Sequence, residues 1–340
     1  MAEDGHGLTM RSSEVEGFAT ATIAGGDGEL EATFVPGAGM LCCSLCRRGT
    51  ELLDRRHGVR AYATRGKTMG IPLLYPWANR LADFTYPGSC GEVVLRPEDP
   101  LLTRDPNGLP IHGALPGRLP WELLDADGEG AAEADDAEAD AADDVNAEDA
   151  LRARLSWDRE DLLAIFPWRH EVEMHARIAG ATLTIETTVH ASVDDPAGEV
   201  ALPVSFGFHP YVAPGEGERG DWVVQLPVSE RLVLNGQMIP TGASEPFESR
   251  EFALEGSDWD DAFAGLATPP VFSLTAGHTR IELELLRGYS YAQFYAPAGE
   301  RFACFEPMTA PANALRSGAG LHRLAPGTSY EAAFSIRTPN

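Results

Sequence analysis

Two residues suited to proton transfer each stand directly before a proline in this sequence. Glu306 precedes Pro307 in FACFEPMTAP, and His209 precedes Pro210 in ALPVSFGFHPYVAPG. A following proline biases a residue towards extended backbone geometry, so both side chains should project from stiff segments. A carboxylate among apolar residues must be paired, hydrogen-bonded or functional, and carboxylate and imidazole groups can transfer protons near neutral pH. We therefore predict an acid–base pair, with a structural role for either residue as the alternative.

The alternation of side chains along a strand predicts which way these two groups point. Glu306, expected near a strand end, shares one face with Phe302 and Cys304, whereas Ala303 and Phe305 share the other. The histidine segment alternates in the same way, with large residues on one face and small residues beside the imidazole: Phe206 and Phe208 against Ser205, Gly207 and His209. The small residues should leave room in front of the imidazole.

Other polar residues follow rigid or turn-forming segments and could bind a polyhydroxylated ligand. Asn79 and Arg80 come after the two prolines of GIPLLYPW, and His112 lies between Pro110 and Gly113. An amide and a forked guanidinium are suited to hydrogen bonds with hydroxyl groups. A group of acids occurs in SDWDDAFAGL: Asp258, Asp260 and Asp261. The alternatives are a surface ion pair for the arginine, a structural histidine and an exposed acidic turn.

The cysteines and histidines do not form a standard metal motif. The cysteines are odd in number and sparse, which argues against a disulfide framework: Cys42, Cys43, Cys46, Cys90 and Cys304. The first three lie in MLCCSLC, which is predicted to be a buried strand and lacks a spaced second pair of ligands. We predict no metal, although one set matches a His₂Glu zinc site on paper: His112, His209 and Glu306.

Short apolar runs separated by glycine, proline, aspartate or asparagine predict a protein rich in β-sheet. Examples are LEATFVPGAG, DWVVQLP and SYAQFYAP, and no long stretch shows the 3.6-residue stripe of an amphipathic helix. ATLTIETTVHAS alternates apolar and polar residues as a half-buried strand does. Three histidines in such runs are predicted to face solvent: His170, His175 and His190.

The chain is predicted to form one domain over residues 17–340, after a flexible N-terminus at residues 1–16. Its 340 residues are 44% hydrophobic, which is enough for a sizeable core. Residues 125–150 contain twelve acids and no base. Such a stretch cannot bury enough apolar surface to offset its ordering entropy, so it is predicted to be a disordered insertion between two strands.

The net charge of −26 argues against nucleic acid or an anionic membrane surface as a partner. No apolar run approaches the roughly 18 residues of a membrane span, and the N-terminus does not resemble a secretory signal. These features predict a cytoplasmic protein. The sequence also lacks a P-loop, a GxGxxG that opens a helix, HExxH and GxSxG.

Six segments, in order along about residues 70–315, resemble the aldose 1-epimerase (galactose mutarotase) family: GIPLLYPWANRLAD, IHGALPGRLPW, FGFHPY, WDDAF, FYAP and FEPMTAPANAL. The resemblance implies a single large, mostly antiparallel β-sandwich with a sugar cleft. By position, Glu306 resembles the general base and His209 the general acid of the family. The residues that resemble its substrate ligands are Asn79, Arg80, His112 and Asp260.

The resemblance also implies how the reaction would run. An aldose would be the small-molecule partner, no cofactor would be needed, and the protein would be a monomer or homodimer. Glu306 would take the proton of the C1 hydroxyl while His209 protonated the ring oxygen, so His209 must be protonated when Glu306 is ionised. Nearby carboxylates such as Asp260 are expected to favour that protonation.

Three alternatives from other classes stay open. A hexose-6-phosphate 1-epimerase would use the same acid and base with extra cations for phosphate, for which we considered Arg60, Arg65 and Lys67. The Asn79–Arg80 pair favours the unphosphorylated sugar. A glycosidase would use Glu306 and Asp260 as its two carboxylates. A non-catalytic sugar-binding protein would bind the sugar and leave its anomers to interconvert at the spontaneous rate.

Overall fold

The computed structural model describes residues 11–26, 28–125, 150–193 and 201–339. Most of the predicted acidic insertion at residues 125–150 and the first ten residues lie outside the described residues. The strands of the first half are β1 (Arg11–Val15), β2 (Phe18–Ala24), β3 (Leu30–Val35), β4 (Leu41–Arg47), β5 (Thr50–Glu51), β6 (Leu73–Leu74), β7 (Thr85–Gly88), β8 (Gly91–Val94), β9 (Leu102–Arg104), β10 (Pro110–Ala114), β11 (Glu122–Leu124), β12 (Ala150–Trp157), β13 (His170–Ala179) and β14 (Thr182–Ala191).

The strands of the second half are β15 (Leu202–Val204), β16 (Gly207–Phe208), β17 (Tyr211–Val212), β18 (Val223–Gln225), β19 (Val228–Leu234), β20 (Pro240–Pro246), β21 (Glu251–Ala253), β22 (Trp259–Leu266), β23 (Val271–Ala276), β24 (Thr279–Arg287), β25 (Tyr291–Ala296), β26 (Ala303–Met308), β27 (His322–Leu324) and β28 (Ser329–Arg337). The helices are α1 (Val59–Arg65), α2 (Glu160–Ile165) and α3 (Ala314–Ser317), with 3₁₀ turns at Pro36–Ala38, Pro116–Arg118 and Arg219–Asp221. In the described residues, no helix has the length and apolar character needed to cross a membrane.

Two large antiparallel sheets dominate the described part of the chain. The larger one has nine strands in the order β11-β12-β13-β14-β28-β24-β23-β18-β21. The other runs in the order β20-β19-β22-β25-β26-β16-β6, and β17 also pairs with β26. Aromatic contacts join the sheets across the core, with ring centroids 5.6 Å apart for Phe272 and Phe305 and 5.0 Å apart for Phe208 and Phe334. The predicted all-β, mostly antiparallel β-sandwich of a single domain is confirmed.

A third sheet, β1 to β5 in sequence order, forms the N-terminal part of the described chain. Its first hairpin turns at Glu16 and Gly17, which have φ values of 53° and 87°. Two left-handed residues between antiparallel strands are typical of a type I′ turn. The sheet thus begins at Arg11, where β1 pairs with β2 across the hairpin, and the Ser13 and Thr20 hydroxyls are hydrogen-bonded at 2.7 Å.

The prediction that His170 faces solvent is wrong. Its side chain is buried, and its ring stacks on Trp157 at a centroid distance of 5.4 Å. Nδ1 lies 2.7 Å from the carbonyl oxygen of Trp168, and Nε2 contacts the Tyr75 hydroxyl. The reason is strand parity, because His170 shares the inward face of β13 with Val172. The other two histidines of that prediction, His175 and His190, are partly exposed.

Candidate active site

Glu306 and His209 meet in the second sheet. Glu306 lies inside β26 rather than at its end, since β26 continues through Pro307 to Met308. Its Oε1 atom is 3.1 Å from Nε2 of His209. Glu306 is 2% exposed and His209 is 6% exposed, so the pair is almost completely removed from water. The two residue types that the sequence singled out for proton transfer are therefore in direct contact.

Gly207 allows this contact because it brings two strands close together. It pairs with Met308 of β26 on one side and with Leu74 of β6 on the other. A Cβ atom at position 207 would lie 2.6 Å from the carbonyl oxygen of Pro307 and 3.0 Å from the Cβ of Ala78. Only glycine fits this approach without a shift of the backbone.

Backbone hydrogen bonds to residues 70–72, the GIP segment, also hold the His209 backbone in place. The amide of His209 donates to the carbonyl of Pro72 over 3.1 Å, and the amide of Tyr211 donates to the carbonyl of Gly70 over 2.8 Å. The Tyr211 ring stacks on the imidazole, with centroids 4.5 Å apart and planes at 8°. Its hydroxyl is hydrogen-bonded to that of Thr68 at 2.6 Å. These contacts fix the position and the plane of the His209 imidazole.

Burial dominates the electrostatics of the pair. Burial raises the pKa of Glu306 well above its ordinary value; Asp260 raises it further, and Arg80 opposes the rise. Burial also lowers the pKa of His209 well below its ordinary value, and His112 lowers it further. Burial is the largest influence on the pKa of His209 and opposes the imidazolium, whereas a contribution from Asp260 in its favour stays a prediction. An isolated charge on either group is therefore disfavoured, and their 3.1 Å contact allows a proton to pass between Oε1 and Nε2.

Asn79 and Arg80 lie on a loop that runs beside β10. The His112 amide donates to the Asn79 carbonyl at 2.9 Å, and the Leu81 amide donates to the Pro110 carbonyl at 3.0 Å. The side-chain oxygen of Asn79 accepts from the backbone amide of Arg80 at 2.9 Å and from its Nη1 at 3.1 Å. The amide side chain therefore orients the guanidinium beside it.

His112 lies next to the Glu306–His209 pair in a left-handed conformation, with φ at 63°. The following Gly113 packs so closely on Tyr75 that a Cβ atom would lie 2.1 Å from the carbonyl oxygen of that residue. The His112 and His209 rings meet edge to face, with centroids 5.7 Å apart. Burial, helped by Arg80, lowers the pKa of His112 to about 3. His112 is thus a neutral imidazole at physiological pH.

Asp260 projects from β22 towards the same site. Its Oδ1 accepts a hydrogen bond from Nε2 of Gln293 at 2.6 Å, and its Oδ2 lies 3.7 Å from Nη2 of Arg80. Asp261, one residue on, contacts Arg231 at 3.6 Å. The side chain of Asp260 is 34% exposed, which leaves it accessible from solvent. The structure thus brings together all six predicted site residues: Glu306, His209, Asn79, Arg80, His112 and Asp260.

Three buried polar atoms of this site lack a hydrogen-bond partner within the described structure: Oε2 of Glu306, Nδ1 of His209 and Nδ1 of His112. Buried polar groups are normally satisfied, so each unpaired one needs an explanation. The described residues thus leave hydrogen-bonding capacity unused around the Glu306–His209 pair.

Sequence reasoning missed some residues of the site. Gln293 directly precedes the FYAP motif and pairs with Glu306 across the sheet, so its position was available as a signal. Asp105 lies in the turn between β9 and β10, and its Oδ2 accepts from Nε of Arg80 at 2.8 Å. Arg56 was not considered, although its guanidinium lies 4.6 Å from the Phe302 ring centroid and 5.5 Å from that of Tyr211. No sequence pattern indicated the contact of Asp105 with Arg80 or the position of Arg56 beside the aromatic rings.

The cations considered for a phosphate group lie on or beside α1. The guanidinium of Arg60 donates to the backbone carbonyl of Glu16, and its amide donates to the Glu16 carboxylate at 2.8 Å. The guanidinium of Arg56, which lies beside the rings of Tyr211 and Phe302, is 3.7 Å from the Glu300 carboxylate. Among the described residues, no group of three or more His, Cys, Asp or Glu side chains is arranged to hold a metal ion.

The architecture and the site together define a β-sandwich protein with a buried carboxylate–imidazole pair inside a ring of hydrogen-bonding side chains. The family model described as aldose 1-epimerase matches residues 36–337. The chain therefore belongs to the aldose 1-epimerase family. A search of curated proteins found no match.

Solved structures show the same fold. A galactose mutarotase-like protein from Clostridium acetobutylicum is 16% identical, with a TM-score of 0.79 over 98% of this chain and 99% of its own. The Slr1438 protein from Synechocystis sp. PCC 6803 is 21% identical, with a TM-score of 0.70 over 98% and 99%. Galactose 1-epimerase from Lactobacillus acidophilus NCFM is 12% identical, with a TM-score of 0.69 over 97% and 99%.

Proposed function

We propose that this protein interconverts the α and β anomers of a free hexose, with Glu306 and His209 as its acid–base pair. The observation that carries the proposal is the buried 3.1 Å contact between the two side chains. Family membership supports the same class of reaction. Because the reaction moves only protons and opens one C–O bond, its chemistry requires no cofactor.

The pair would work by passing its shared proton through the sugar. Glu306, as the carboxylate, takes the proton of the C1 hydroxyl, and His209 gives its proton to the ring oxygen. The ring opens, the aldehyde turns about the C1–C2 bond, and the reverse transfers close the ring on the other face. Each well-placed proton-transfer group contributes roughly 10²–10⁴-fold to such a rate.

The surrounding residues would hold the sugar during these steps. Arg80 donates hydrogen bonds, His112 contributes a neutral imidazole, and Asp260 accepts from a hydroxyl. Asn79 orients the guanidinium that would stabilise charge developing on a substrate oxygen. These groups bind hydroxyls, whereas the nearby Arg56 already has a carboxylate partner in Glu300. The arrangement therefore favours an unphosphorylated aldose over a hexose 6-phosphate.

Polarimetry tests the proposal with freshly dissolved α-D-glucose and α-D-galactose, and NMR extends the test to glucose 6-phosphate. We expect faster mutarotation of a free sugar with the protein than without it. Acceleration of the phosphate alone would assign the phosphorylated branch. Release of nitrophenol from a nitrophenyl glycoside would indicate a glycosidase, and sugar binding without acceleration would indicate a binding protein.

Replacement of the base gives the sharpest test at the pair itself. Glu306→Gln keeps the shape of the side chain but cannot accept the C1 proton, so we expect turnover to fall about 10³-fold. Sugar affinity, measured by calorimetry, should change little, because the ring of binding residues is intact. Turnover close to that of the wild type would rule out Glu306 as the base.

A further inference from the structure

Arg80 is held at separate points by oxygen atoms from different elements. Its Nε donates to Oδ2 of Asp105 at 2.8 Å, and its Nη1 donates to the side-chain oxygen of Asn79 at 3.1 Å. Its Nη2 lies 3.7 Å from Oδ2 of Asp260, beyond the ordinary hydrogen-bond distance. That nitrogen is not committed to Asp260 and can donate to a substrate oxygen. Of these three contacts, the one with Asp105 is the shortest. It engages Nε and leaves the terminal Nη groups to other partners.

Asp105 divides its two carboxylate oxygens between two tasks. Oδ1 accepts from the backbone amides of Asn107 and Leu109, each at 2.9 Å, which closes the turn between β9 and β10. Oδ2 accepts from Arg80 at 2.8 Å and from the side-chain amide of Asn107 at 3.3 Å. The turn itself needs only one acceptor oxygen. The second oxygen is directed at the guanidinium.

The ion pair is protected from water. The side chain of Asp105 is completely buried, and that of Arg80 is 12% exposed. Burial alone would raise the pKa of Asp105, but hydrogen bonds from Leu109 and Arg80 hold it below its ordinary value. Asp105 is therefore a carboxylate throughout the neutral range. A charge-assisted hydrogen bond of this kind fixes a guanidinium more strictly than a neutral one does.

We propose that Asp105 is a positioning residue for Arg80, which it locks in the orientation that lets the guanidinium bind the sugar next to the Glu306–His209 pair. The expected effect on turnover rests on the proposed function. The contact between Asp105 and Arg80 is independent of that function. Misplacement of a binding group by about 1 Å can cost on the order of 10²-fold in rate. Loss of Asp105 should thus act on the reaction only through Arg80.

Asp105→Asn separates the two tasks of the carboxylate. Asparagine keeps one side-chain oxygen for the turn amides, but its NH₂ group would face the N–H of Arg80 and could not accept from it. We expect kcat/KM to fall by about 10–100-fold. Asp99→Asn is the matched control, because Asp99 is another turn aspartate, whose Oδ1 accepts from the Leu101 amide at 2.9 Å, whereas the ion-pair partners of Arg80 are Asp105 and Asp260. It should retain wild-type turnover. If Asp105→Asn fails to fold, Asp105→Ser replaces it, since a serine hydroxyl can still accept from a turn amide.

A double-mutant cycle then separates positioning from a general structural role. If Asp105 acts through Arg80, the double variant D105N/R80M should be about as active as R80M alone. Independent losses that multiply would overturn the proposal. Wild-type turnover in Asp105→Asn would also overturn it.

A readout without substrate keeps this test distinct from that of the proposed function. The ionisable groups around the carboxyl of Glu306 are His209, Cys304, Tyr211, Asp260 and Arg80, with His112 beyond His209. Without Asp105, the charge of Arg80 is no longer balanced and its guanidinium is free to move towards Asp260. Carbon-13 NMR of the Glu306 carboxyl should therefore show a lower pKa in Asp105→Asn than in the wild type, and little such change when Arg80 is already methionine.

The two failures then look different. A wild-type protein that accelerates no mutarotation would refute the proposed function, while the NMR cycle would still report whether Asp105 controls Arg80. An unchanged Glu306 titration in Asp105→Asn would refute the positioning role even in an active enzyme.

Discussion

At the scale of single residues, the proposed chemistry depends on the protonation of the buried Glu306–His209 pair. Burial pushes the pKa of Glu306 up and that of His209 down, so the pair takes up a second proton only at low pH and gives up its last one only at high pH. Between these limits one group can accept a proton while the other donates one. The pH–rate profile reports the two values as properties of the pair.

We expect the pH–rate profile to have a broad plateau. The pH at which the rate falls on the alkaline side should respond to the charges around Glu306. Asp260→Asn removes a carboxylate that raises the pKa of Glu306, so the alkaline limb should move to lower pH. Arg80→Met removes a cation that lowers this pKa, so the limb should move to higher pH. Profiles of kcat against pH measure both shifts independently of the loss in rate.

Asp261→Asn is the control for this pair of variants. Asp261 contacts Arg231 instead of Arg80, and its removal should leave the limb where it is in the wild type. Shifts of the same sign in Asp260→Asn and Arg80→Met would show that the limb does not report the ionisation of Glu306.

At the scale of elements, the site depends on how closely β16 approaches β26. Gly207→Ala would place a methyl group against the Pro307 carbonyl at 2.6 Å and against Ala78 at 3.0 Å. We expect the strands to separate, with a loss of about 1–3 kcal/mol in the free energy of unfolding. His209 moves with β16, so turnover should fall further than this stability loss alone explains. Urea unfolding and polarimetry measure the two effects.

Gly236→Ala serves as the matched control, since a Cβ atom there meets nothing within 4 Å. It should leave both stability and turnover near their wild-type values. A Gly207→Ala protein with full turnover would show that the position of the imidazole does not depend on this close approach.

Much of this element-scale picture could be predicted from sequence, because strand alternation is local. It correctly predicted the buried MLCCSLC strand, which is β4. Phe206 and Phe208, predicted to share one face, both lie in the core. The burial of His170 followed from the same parity but was missed, because a polar residue type was taken as evidence of exposure. The contact between Asp105 and Arg80 could not be predicted, since it depends on how a turn and a distant loop pack together.

At the scale of the whole molecule, the fold places the buried Glu306–His209 pair inside a strongly acidic chain. The sequence has 52 acidic and 26 basic side chains, so the acids outnumber the bases two to one. Some surface acids are well compensated, such as Glu186, which lies 3.8 Å from Arg177 and 3.5 Å from Arg287. The remainder repel one another, and this repulsion opposes the compact state.

We therefore expect added salt to stabilise the protein. Screening weakens both the exposed ion pairs and the repulsion among unpaired carboxylates, but the repulsion is the stronger of the two effects because the net charge is −26. The urea midpoint of unfolding should rise between low salt and about 0.5 M NaCl, where the Debye length falls to a few ångströms. KCl at the same ionic strength should give the same rise if screening is the cause. A midpoint that falls with salt would show instead that ion pairs such as those of Glu186 outweigh the net repulsion.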